Sequence, residues 1–303
     1  MCRMCPRRLS VRAIVLGLER VACLIQASSP ISASALQGNA QDLLPAAHRL
    51  ASGWKLWLYT NYDCNLRCTY CLARSTPTTP RRALGLETVR RLVDEAVALG
   101  FGEVFFTGGE PFILEDIYVM LAYATVRMKS SVLTNGMLLS GLRLDRLLAI
   151  AGDTLTLQVS LDGARAEHHD PYRGRGTWLK TVGSIRKLLG LGLHVRLSTT
   201  ETPVNQSHLP ELCDLHRSWG IPEEDHVFRP LARRGFSAQG LDVSMENLAP
   251  EVTVSRDGVF WHPLSTDADM QISAGIFPLR ASVERVQAQL EAIAGGEPLK
   301  KVT

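Results

Sequence analysis

The chain has 303 residues, 46% of them hydrophobic and 21% charged, a mixture that excludes a mainly disordered protein. Its glycines and prolines follow no period, which excludes a collagen-like chain, and no apolar run reaches about 18 residues, so we expect no membrane association through several spans. The net charge of +3 comes from residues 1–20, which hold five arginines and one glutamate. The rest of the chain has a net charge near −1, which gives no reason to expect a nucleic-acid partner.

Residues 1–53 differ in composition from the rest of the chain. Arg7–Arg8 followed by the apolar stretch Ala13–Leu18 is faintly similar to a twin-arginine export leader. Glu19–Arg20 end that stretch early, because an export signal usually carries roughly seven to fifteen apolar residues. We therefore interpret this segment as a poorly ordered extension or as the result of a translation start placed too early.

From Trp54 onward, strands and helices alternate, with about 30 residues in each unit. Runs of aromatic and β-branched residues predict strands at Trp54–Asn61, Glu103–Thr107, Ser130–Thr134, Thr154–Leu161, His194–Thr200 and His226–Leu231. Apolar residues at helical spacing predict the intervening helices at Leu86–Leu99, Ile117–Val126, Leu142–Ala151, Trp178–Leu191 and Ser207–Trp219. Successive units of this kind form a parallel sheet through right-handed crossovers.

Six such units are too few for a closed eight-unit barrel, so we predict an α/β fold with a partial (βα)6 TIM-like barrel over residues 54–232. A doubly wound open sheet is the competing architecture. In both, ligands gather at the carboxyl ends of the strands. Residues 233–303 predict a short α+β appendage with a hairpin at Glu251–Ser255 and Val259–His262 and a helix at Val283–Ala294.

Three cysteines after the first predicted strand give the strongest chemical signal. Cys64, Cys68 and Cys71 form a Cys-x3-Cys-x2-Cys pattern, and thiolates are soft ligands for zinc, Cu(I) or iron–sulfur clusters. Structural zinc needs four ligands, and the nearest histidine after the triplet is the distant His168. A [4Fe–4S] cluster on three thiolates keeps one iron open for a small molecule. Thiolate ligands favour a reducing, cytoplasmic location.

Short polar motifs follow the next three strands. In Phe106–Pro111 (FTGGEP), two glycines allow the backbone to approach a ligand closely, and Glu110 can accept a hydrogen bond from an ammonium group. Leu133–Gly136 (LTNG) contains an Asn-Gly pair, which by itself is also a common turn. Ser160–Gly163 (SLDG) directs a hydroxyl and a carboxylate to one side of a strand, an arrangement suited to a ribose or a carboxylate.

Together these motifs make the chain resemble the radical SAM superfamily, in which an aromatic residue, here Tyr70, precedes the last cysteine of the triplet. The resemblance covers residues 54–232. It implies that Cys64, Cys68 and Cys71 hold one [4Fe–4S] cluster and that S-adenosylmethionine (SAM) chelates the open iron. Reductive cleavage of SAM then gives methionine and a 5′-deoxyadenosyl radical. A reductant such as a flavodoxin or ferredoxin is implied as a partner.

The same resemblance implies a SAM site at the strand ends, in which GGEP takes the amino group and LTNG forms a pocket wall. An arginine after SLDG would bind the SAM carboxylate; Arg173 matches best, with Arg165 and Arg175 as alternatives. The cofactor-binding residues expected on this basis are Gly108, Gly109, Glu110, Pro111, Thr134, Asn135, Ser160, Asp162 and Arg173. The roles of Ser198–Thr200 and Arg229, at the same mouth, stay open. For the pair His168–His169 we favour an inert surface position over metal binding or proton transfer.

The C-terminal segment resembles a degenerate SPASM or twitch extension, the module that holds auxiliary clusters in peptide-modifying members. Val252–His262 is similar to its opening hairpin, but a histidine stands where the family has a cysteine, and only Cys213 follows Cys71. Mid-helix, Cys213 is expected to be a buried apolar residue. We expect a radical SAM enzyme acting on a peptide or protein substrate. The alternatives are a radical SAM step in small-molecule or cofactor biosynthesis and, from other classes, a non-catalytic zinc or iron–sulfur module or an exported thiol protein.

Overall fold

A computed structural model describes residues 51, 53–245, 248 and 250–294, so the predicted N-terminal extension lies almost wholly outside the described residues. Six parallel strands form its centre: β1 (Lys55–Asn61), β2 (Glu103–Gly108), β3 (Lys129–Thr134), β4 (Leu155–Ser160), β5 (Val195–Glu201) and β6 (His226–Pro230). The helices that follow them are α1 (Leu86–Leu99), α2 (Ile117–Thr125), α3 (Leu142–Leu148), α4 (Ala166–Arg173), α5 (Thr177–Gly190) and α6 (Leu209–Ser218).

The order of these strands decides between the two predicted architectures. They lie side by side in sequence order from β1 to β6, and every neighbouring pair is parallel. Right-handed crossovers that always step in one direction put all helices on one face, so the sheet curls around its other face. A doubly wound sheet instead extends to both sides of its first strand. The partial barrel is therefore confirmed.

Side chains alternate between the two faces of each strand, as β1 illustrates. Leu56 and Leu58 are fully buried on the outer face, in one core with Val89 and Leu92 of α1. Burying each such aliphatic side chain stabilises the fold by about 1.5–3 kcal/mol. The alternate residues, including Tyr59, face the interior of the barrel, which we call the lumen. The outer face thus carries the hydrophobic core and the lumen carries polar and aromatic groups.

The C-terminal segment continues the central sheet. Strand β7 (Thr253–Ser255) pairs in parallel with β1, and β8 (Gly258–Phe260) and β9 (Gln271–Ser273) follow as antiparallel strands. Helix α7 (Leu279–Ala294) starts four residues before the predicted position, and the Leu279 N–H donates to the Glu95 carboxylate at 2.6 Å. Across the described part of the chain, no helix has both the length and the apolar composition needed to cross a lipid bilayer.

Candidate functional site

The cysteine loop begins where β1 ends, at the carboxyl edge of the barrel. Cys64, Cys68 and Cys71 are free and partly buried. Backbone N–H groups reach two of the sulfurs: Leu66 donates to Cys64 Sγ and Ser75 to Cys71 Sγ, both at 3.4 Å. Hydrogen bonds to ligating sulfurs are among the features that set the potential of a protein-bound iron–sulfur cluster. The loop therefore presents three thiols, two of which its own backbone orients.

Burial keeps two of these thiols, Cys64 and Cys68, protonated until a metal binds. Burial raises the pKa of Cys64 to about 12, and the nearby Glu110 carboxylate and the other two thiols add to that shift. Burial also raises the pKa of Cys68 to about 11, although Arg173 opposes it. Buried thiols of this kind become thiolates when a metal supplies positive charge.

The spacing of the thiols separates a cluster from a single metal ion. In the described part of the chain, one trio of His, Cys, Asp or Glu side chains has all its ligand atoms within 4.8 Å of one another. It consists of His168, His208 and Glu211. The three cysteine sulfurs do not meet this criterion and are therefore spread more widely. Thiolates on one tetrahedral zinc ion stand about 3.8 Å apart, given Zn–S bonds of about 2.3 Å. In an iron–sulfur cluster each thiolate binds a different iron, which fits the wider spacing.

The two glycines of GGEP approach the chain itself rather than open space. A Cβ atom on Gly108 would lie 2.2 Å from the Asn61 carbonyl oxygen, and one on Gly109 would lie 2.1 Å from that of Asp63. The Gly109 N–H donates to Asn61 at 2.9 Å, and the Glu110 N–H donates to Asp63 at 3.0 Å. Glycine is therefore required here because β2 ends directly against the segment that leads into the cysteine loop.

Glu110 is 1% exposed and accepts three hydrogen bonds from the chain. The donors are the Phe112 N–H at 3.2 Å, the Thr134 hydroxyl at 2.8 Å and the Asn135 N–H at 2.9 Å. Burial raises the pKa of Glu110 to about 7, and these donors oppose the shift. The carboxylate thus joins the end of β2 to the end of β3, and Pro111 starts the short 3-10 turn that carries Phe112.

Asn135 extends this connection to the cysteine loop. Its side-chain amide donates to the Asn65 side-chain oxygen at 2.8 Å and lies 3.9 Å from Cys64 Sγ. The Asn135 carbonyl oxygen accepts from Thr181 of α5 at 3.2 Å. GGEP and LTNG, which are separate in sequence, therefore converge on the first cysteine of the triplet through Glu110 and Asn135.

Asp162 organises the other side of the loop and is fully buried. Its carboxylate accepts from the Tyr70 hydroxyl, from Arg173 Nε at 2.6 Å and from the Thr200 N–H at 3.0 Å. Burial alone would raise the pKa of Asp162, but the charge and hydrogen bonds of Arg173 outweigh it and hold the pKa below its usual value. The Asp162 N–H donates to His169 Nδ1 at 3.1 Å, which gives that histidine a structural role.

Among the three arginines considered after SLDG, only Arg173 lies beside Asp162. It ends α4, a helix that the sequence pattern did not predict, and it is 9% exposed. Arg165 and Arg175 are exposed, and Arg165 pairs with Glu211 at 2.6 Å. Ser160 ends β4 and is partly exposed. The assignment of these residues to SAM stays a prediction.

The expected surface position of His168–His169 is wrong, because both side chains are buried in α4. His168 lies with His208 and Glu211 in the trio noted above. The two imidazole rings stack with centroids 3.8 Å apart, and in parallel stacked rings the nitrogen lone pairs do not converge on one point. The Glu211 carboxylate is already held by Arg165. The arrangement favours ring stacking over a metal site.

On the opposite side of the lumen, Arg229 of β6 donates through Nη1 to the Ser198 hydroxyl at 3.1 Å. His262, in the C-terminal segment, accepts the Leu264 N–H at Nδ1. Sequence reasoning singled out these residues only by position. Their contacts depend on how β6 and the C-terminal segment pack together, and no local sequence pattern specifies that packing.

Comparison with known proteins agrees with this geometry. The family model of the Radical SAM superfamily matches residues 58–215, just over half of the chain. An AdoMet-dependent heme synthase of Methanosarcina barkeri is 26% identical over 76% of this chain and 64% of its own length. Mycofactocin maturase MftC of Mycolicibacterium smegmatis is 31% identical over 69% of this chain and 50% of its own length. The chain thus spans about half to two thirds of these curated relatives.

Solved structures show the same fold. Streptococcus suis SuiB bound to the precursor peptide SuiA matches with a TM-score of 0.55 and 18% identity over 75% of this chain and 54% of that one. The enzyme anSMEcpe with bound AdoMet and the Cp18Cys peptide matches with a TM-score of 0.59 and 13% identity over 77% of this chain and 81% of that one. With the family match and the cysteine loop at the mouth of a partial barrel, the chain belongs to the radical SAM superfamily.

Proposed function

We propose that the chain cleaves S-adenosylmethionine reductively at one [4Fe–4S] cluster and uses the product radical to modify a peptide or protein. The observation that carries this proposal is the loop of three free, partly buried cysteines at the carboxyl edge of the barrel. When bound, the cluster and SAM supply one electron and a cleavable C–S bond, which yield methionine and a 5′-deoxyadenosyl radical.

The residues of the chain divide this task between ligation and positioning. Cys64, Cys68 and Cys71 would hold the cluster. Glu110 and Asp162 act through other groups, because their carboxylates are occupied by donors of the chain. Glu110 fixes Asn135 beside Cys64. Asp162 binds Tyr70 and so fixes the segment before Cys71. The remaining predicted contacts to SAM are Gly108, Gly109, Pro111, Thr134, Asn135, Ser160 and Arg173.

A peptide or protein substrate is supported by the named relatives. MftC is a maturase, AlbA of Bacillus subtilis is a bacteriocin biosynthesis protein, and SuiB was solved with a precursor peptide. The heme synthase matches 76% of this chain, against 69% for MftC, and favours cofactor biosynthesis as the second candidate. We propose residues 54–232 as the catalytic core and 233–303 as a degenerate twitch-like extension that holds no auxiliary cluster.

A reductant such as a flavodoxin or ferredoxin and a cytoplasmic location complete the proposal. Free thiols that must bind iron as thiolates persist best in a reducing compartment, which supports that location.

The decisive experiment is anaerobic. The purified chain is reconstituted with iron and sulfide, reduced with dithionite and given SAM. We expect a brown protein that releases 5′-deoxyadenosine, quantified by liquid chromatography and mass spectrometry. A colourless zinc protein that leaves SAM intact would overturn the proposal. If a short precursor peptide is encoded beside the gene, it provides the substrate test: its mass should change in the complete reaction and stay constant without SAM.

A further inference from the structure

Arg229 is the arginine of the lumen that the described chain leaves without a carboxylate. It is the penultimate residue of β6, paired in register with Thr200 of β5. Its guanidinium donates to the Ser198 hydroxyl and lies 5.8 Å from the centre of the Trp57 ring across the lumen. The side chain therefore extends into the barrel interior, where the guanidinium reaches the middle of β5 and of β1.

Other arginines of the barrel interior differ in this respect. Arg173 is paired with Asp162 at 2.6 Å. Arg196 lies 3.7 Å from Glu103 and 3.4 Å from Asp225. Within the described residues, no Asp or Glu oxygen lies within 4.0 Å of the Arg229 guanidinium, although the same criterion finds partners for the other two. In the described part of the barrel, the guanidinium groups of Arg173 and Arg196 are therefore neutralised by carboxylates, whereas that of Arg229 is not.

The groups around Arg229 are neutral or already engaged. Glu251, the acidic group with the largest influence on Arg229, accepts hydrogen bonds from the Trp57 indole and from Lys55. The Tyr59 hydroxyl donates to the Pro263 carbonyl at 2.6 Å. Burial, with the charges of Arg229 and Lys55, lowers the pKa of His262 to about 3, so this imidazole is neutral at physiological pH.

A guanidinium without an anion in such surroundings is costly. Removing it from water is only partly offset by one hydroxyl, and burial lowers the pKa of Arg229 despite its neighbours Glu251 and Tyr59. A carboxylate from outside the chain would offset this cost, because it accepts two parallel hydrogen bonds from the planar guanidinium.

Arg229 lies in the same barrel whose mouth carries the cysteine loop. Its neighbour across the lumen, Trp57, belongs to β1, the strand that leads into that loop. A molecule held by Arg229 would therefore lie inside the barrel, beneath the mouth that carries the cluster ligands.

We propose that Arg229 binds a carboxylate of the substrate and fixes it in the lumen. Trp57 and Phe105, which stack with centroids 4.2 Å apart, supply an aromatic wall next to this guanidinium. The substrate class is therefore a carboxylate attached to an apolar or aromatic group, as at a peptide C-terminus. This inference rests on the proposed function for the meaning of "substrate", but the binding site can be tested without any SAM cleavage.

The test uses two probes of nearly equal shape, phenylacetate and phenylacetamide, which differ in charge. Binding to the reconstituted holoenzyme is measured by isothermal titration calorimetry without reductant. We expect phenylacetate to bind at least tenfold more tightly than the amide, and Arg229→Gln to weaken phenylacetate at least tenfold. Arg229→Lys should be intermediate, since an ammonium keeps the charge but lacks the bidentate geometry. Arg146→Gln, which changes an exposed arginine paired with Glu115 outside the lumen, serves as the control and should bind phenylacetate like the wild type.

Three outcomes would overturn the assignment: no binding of phenylacetate to the wild type, equal binding of the two probes, or phenylacetate affinity unchanged in Arg229→Gln. SAM affinity provides a further arm. If Arg229→Gln weakens SAM as much as phenylacetate, the guanidinium serves the carboxylate of SAM and the proposal is wrong. Failure of the wild type to release 5′-deoxyadenosine contradicts the proposed function, whereas failure of the probes alone contradicts only this inference.

Discussion

The two sides of the barrel mouth differ in whether their buried charged groups have partners within the chain. Beside the cysteine loop, the buried carboxylates of Glu110 and Asp162 are surrounded by donors from the chain. On the β6 side, the Arg229 guanidinium donates to one hydroxyl, and no carboxylate oxygen of the described residues lies within 4.0 Å of it. A buried charge with partners fixes geometry, whereas one without partners is available to a ligand. The comparison thus separates the groups that hold the loop from the group that we assign to substrate.

The largest expected effect is on the cluster. Cys68→Ala removes one of three thiolate ligands, so we expect iron content after reconstitution to fall to background and 5′-deoxyadenosine release to cease. Iron is measured colorimetrically against protein concentration. Circular dichroism should show unchanged secondary structure, because Cys68 is a loop residue and only partly buried. Wild-type iron content in the variant would show that this thiol is not a ligand.

The second prediction tests the comparison directly with one substitution on each side. Arg173→Gln leaves Asp162 as an uncompensated buried carboxylate, and we expect the free energy of unfolding to fall by about 3–5 kcal/mol. Arg229→Gln strands no carboxylate of the chain, so we expect a change within about 0.5 kcal/mol or a gain in stability.

Anaerobic urea denaturation of both variants and the wild type measures this difference. An equal loss in the two variants would break the comparison, since it would mean that Arg229 is neutralised within the protein.

The third prediction concerns pH. Burial raises the pKa of Glu110 from 4.5 to about 7, so between these values the folded state keeps a proton that the unfolded state loses. The contribution of Glu110 to stability is therefore complete below pH 4.5 and is lost as pH rises through about 7, with a slope of at most about 1.4 kcal/mol per pH unit.

Glu110→Gln does not titrate and should remove this component of the pH dependence. Urea denaturation at pH 5, 6 and 7 checks it, with Glu87→Gln on the exposed face of α1 as the matched control. Identical slopes in wild type and Glu110→Gln would contradict the assignment of this pKa.

The smallest effect is expected at Tyr70. Tyr70→Phe removes one donor from Asp162 and leaves Arg173 and the Thr200 N–H in place, so the free energy of unfolding should fall by about 1 kcal/mol. The same denaturation experiment measures it. A loss as large as that of Arg173→Gln would assign the principal role in the buried network to Tyr70.

The regular elements could be predicted from sequence because their signals are local. Helix α1 has both bounds as predicted, since its apolar spacing is regular and Gly100 supplies the left-handed cap. Helix α4 escaped prediction because its segment, AEHHDPYR, lacks an apolar stripe and contains a proline. Its polar residues are nevertheless buried: His169 and Arg173 contact Asp162, and His168 stacks on His208.

The candidate site was predictable as a list of residues but not as a network. The cysteine spacing and the GGEP and SLDG motifs identified the cysteines, Glu110 and Asp162. That Glu110 binds Asn135, and that Asp162 binds Tyr70, follows from strand order and register, which no local pattern carries. That Arg229 lacks a carboxylate partner among the described residues is still harder to predict from sequence. It depends on which side chains β1 and the C-terminal segment place beside β6.

The central claim is that the cysteine loop holds a cluster with one iron open to SAM. Electron paramagnetic resonance of the dithionite-reduced protein, recorded before and after addition of SAM, tests it most directly. We predict the signal of a reduced [4Fe–4S] cluster, with g values that shift when SAM binds. A protein that contains zinc and no such signal, or a cluster signal that SAM leaves unchanged, would contradict the account.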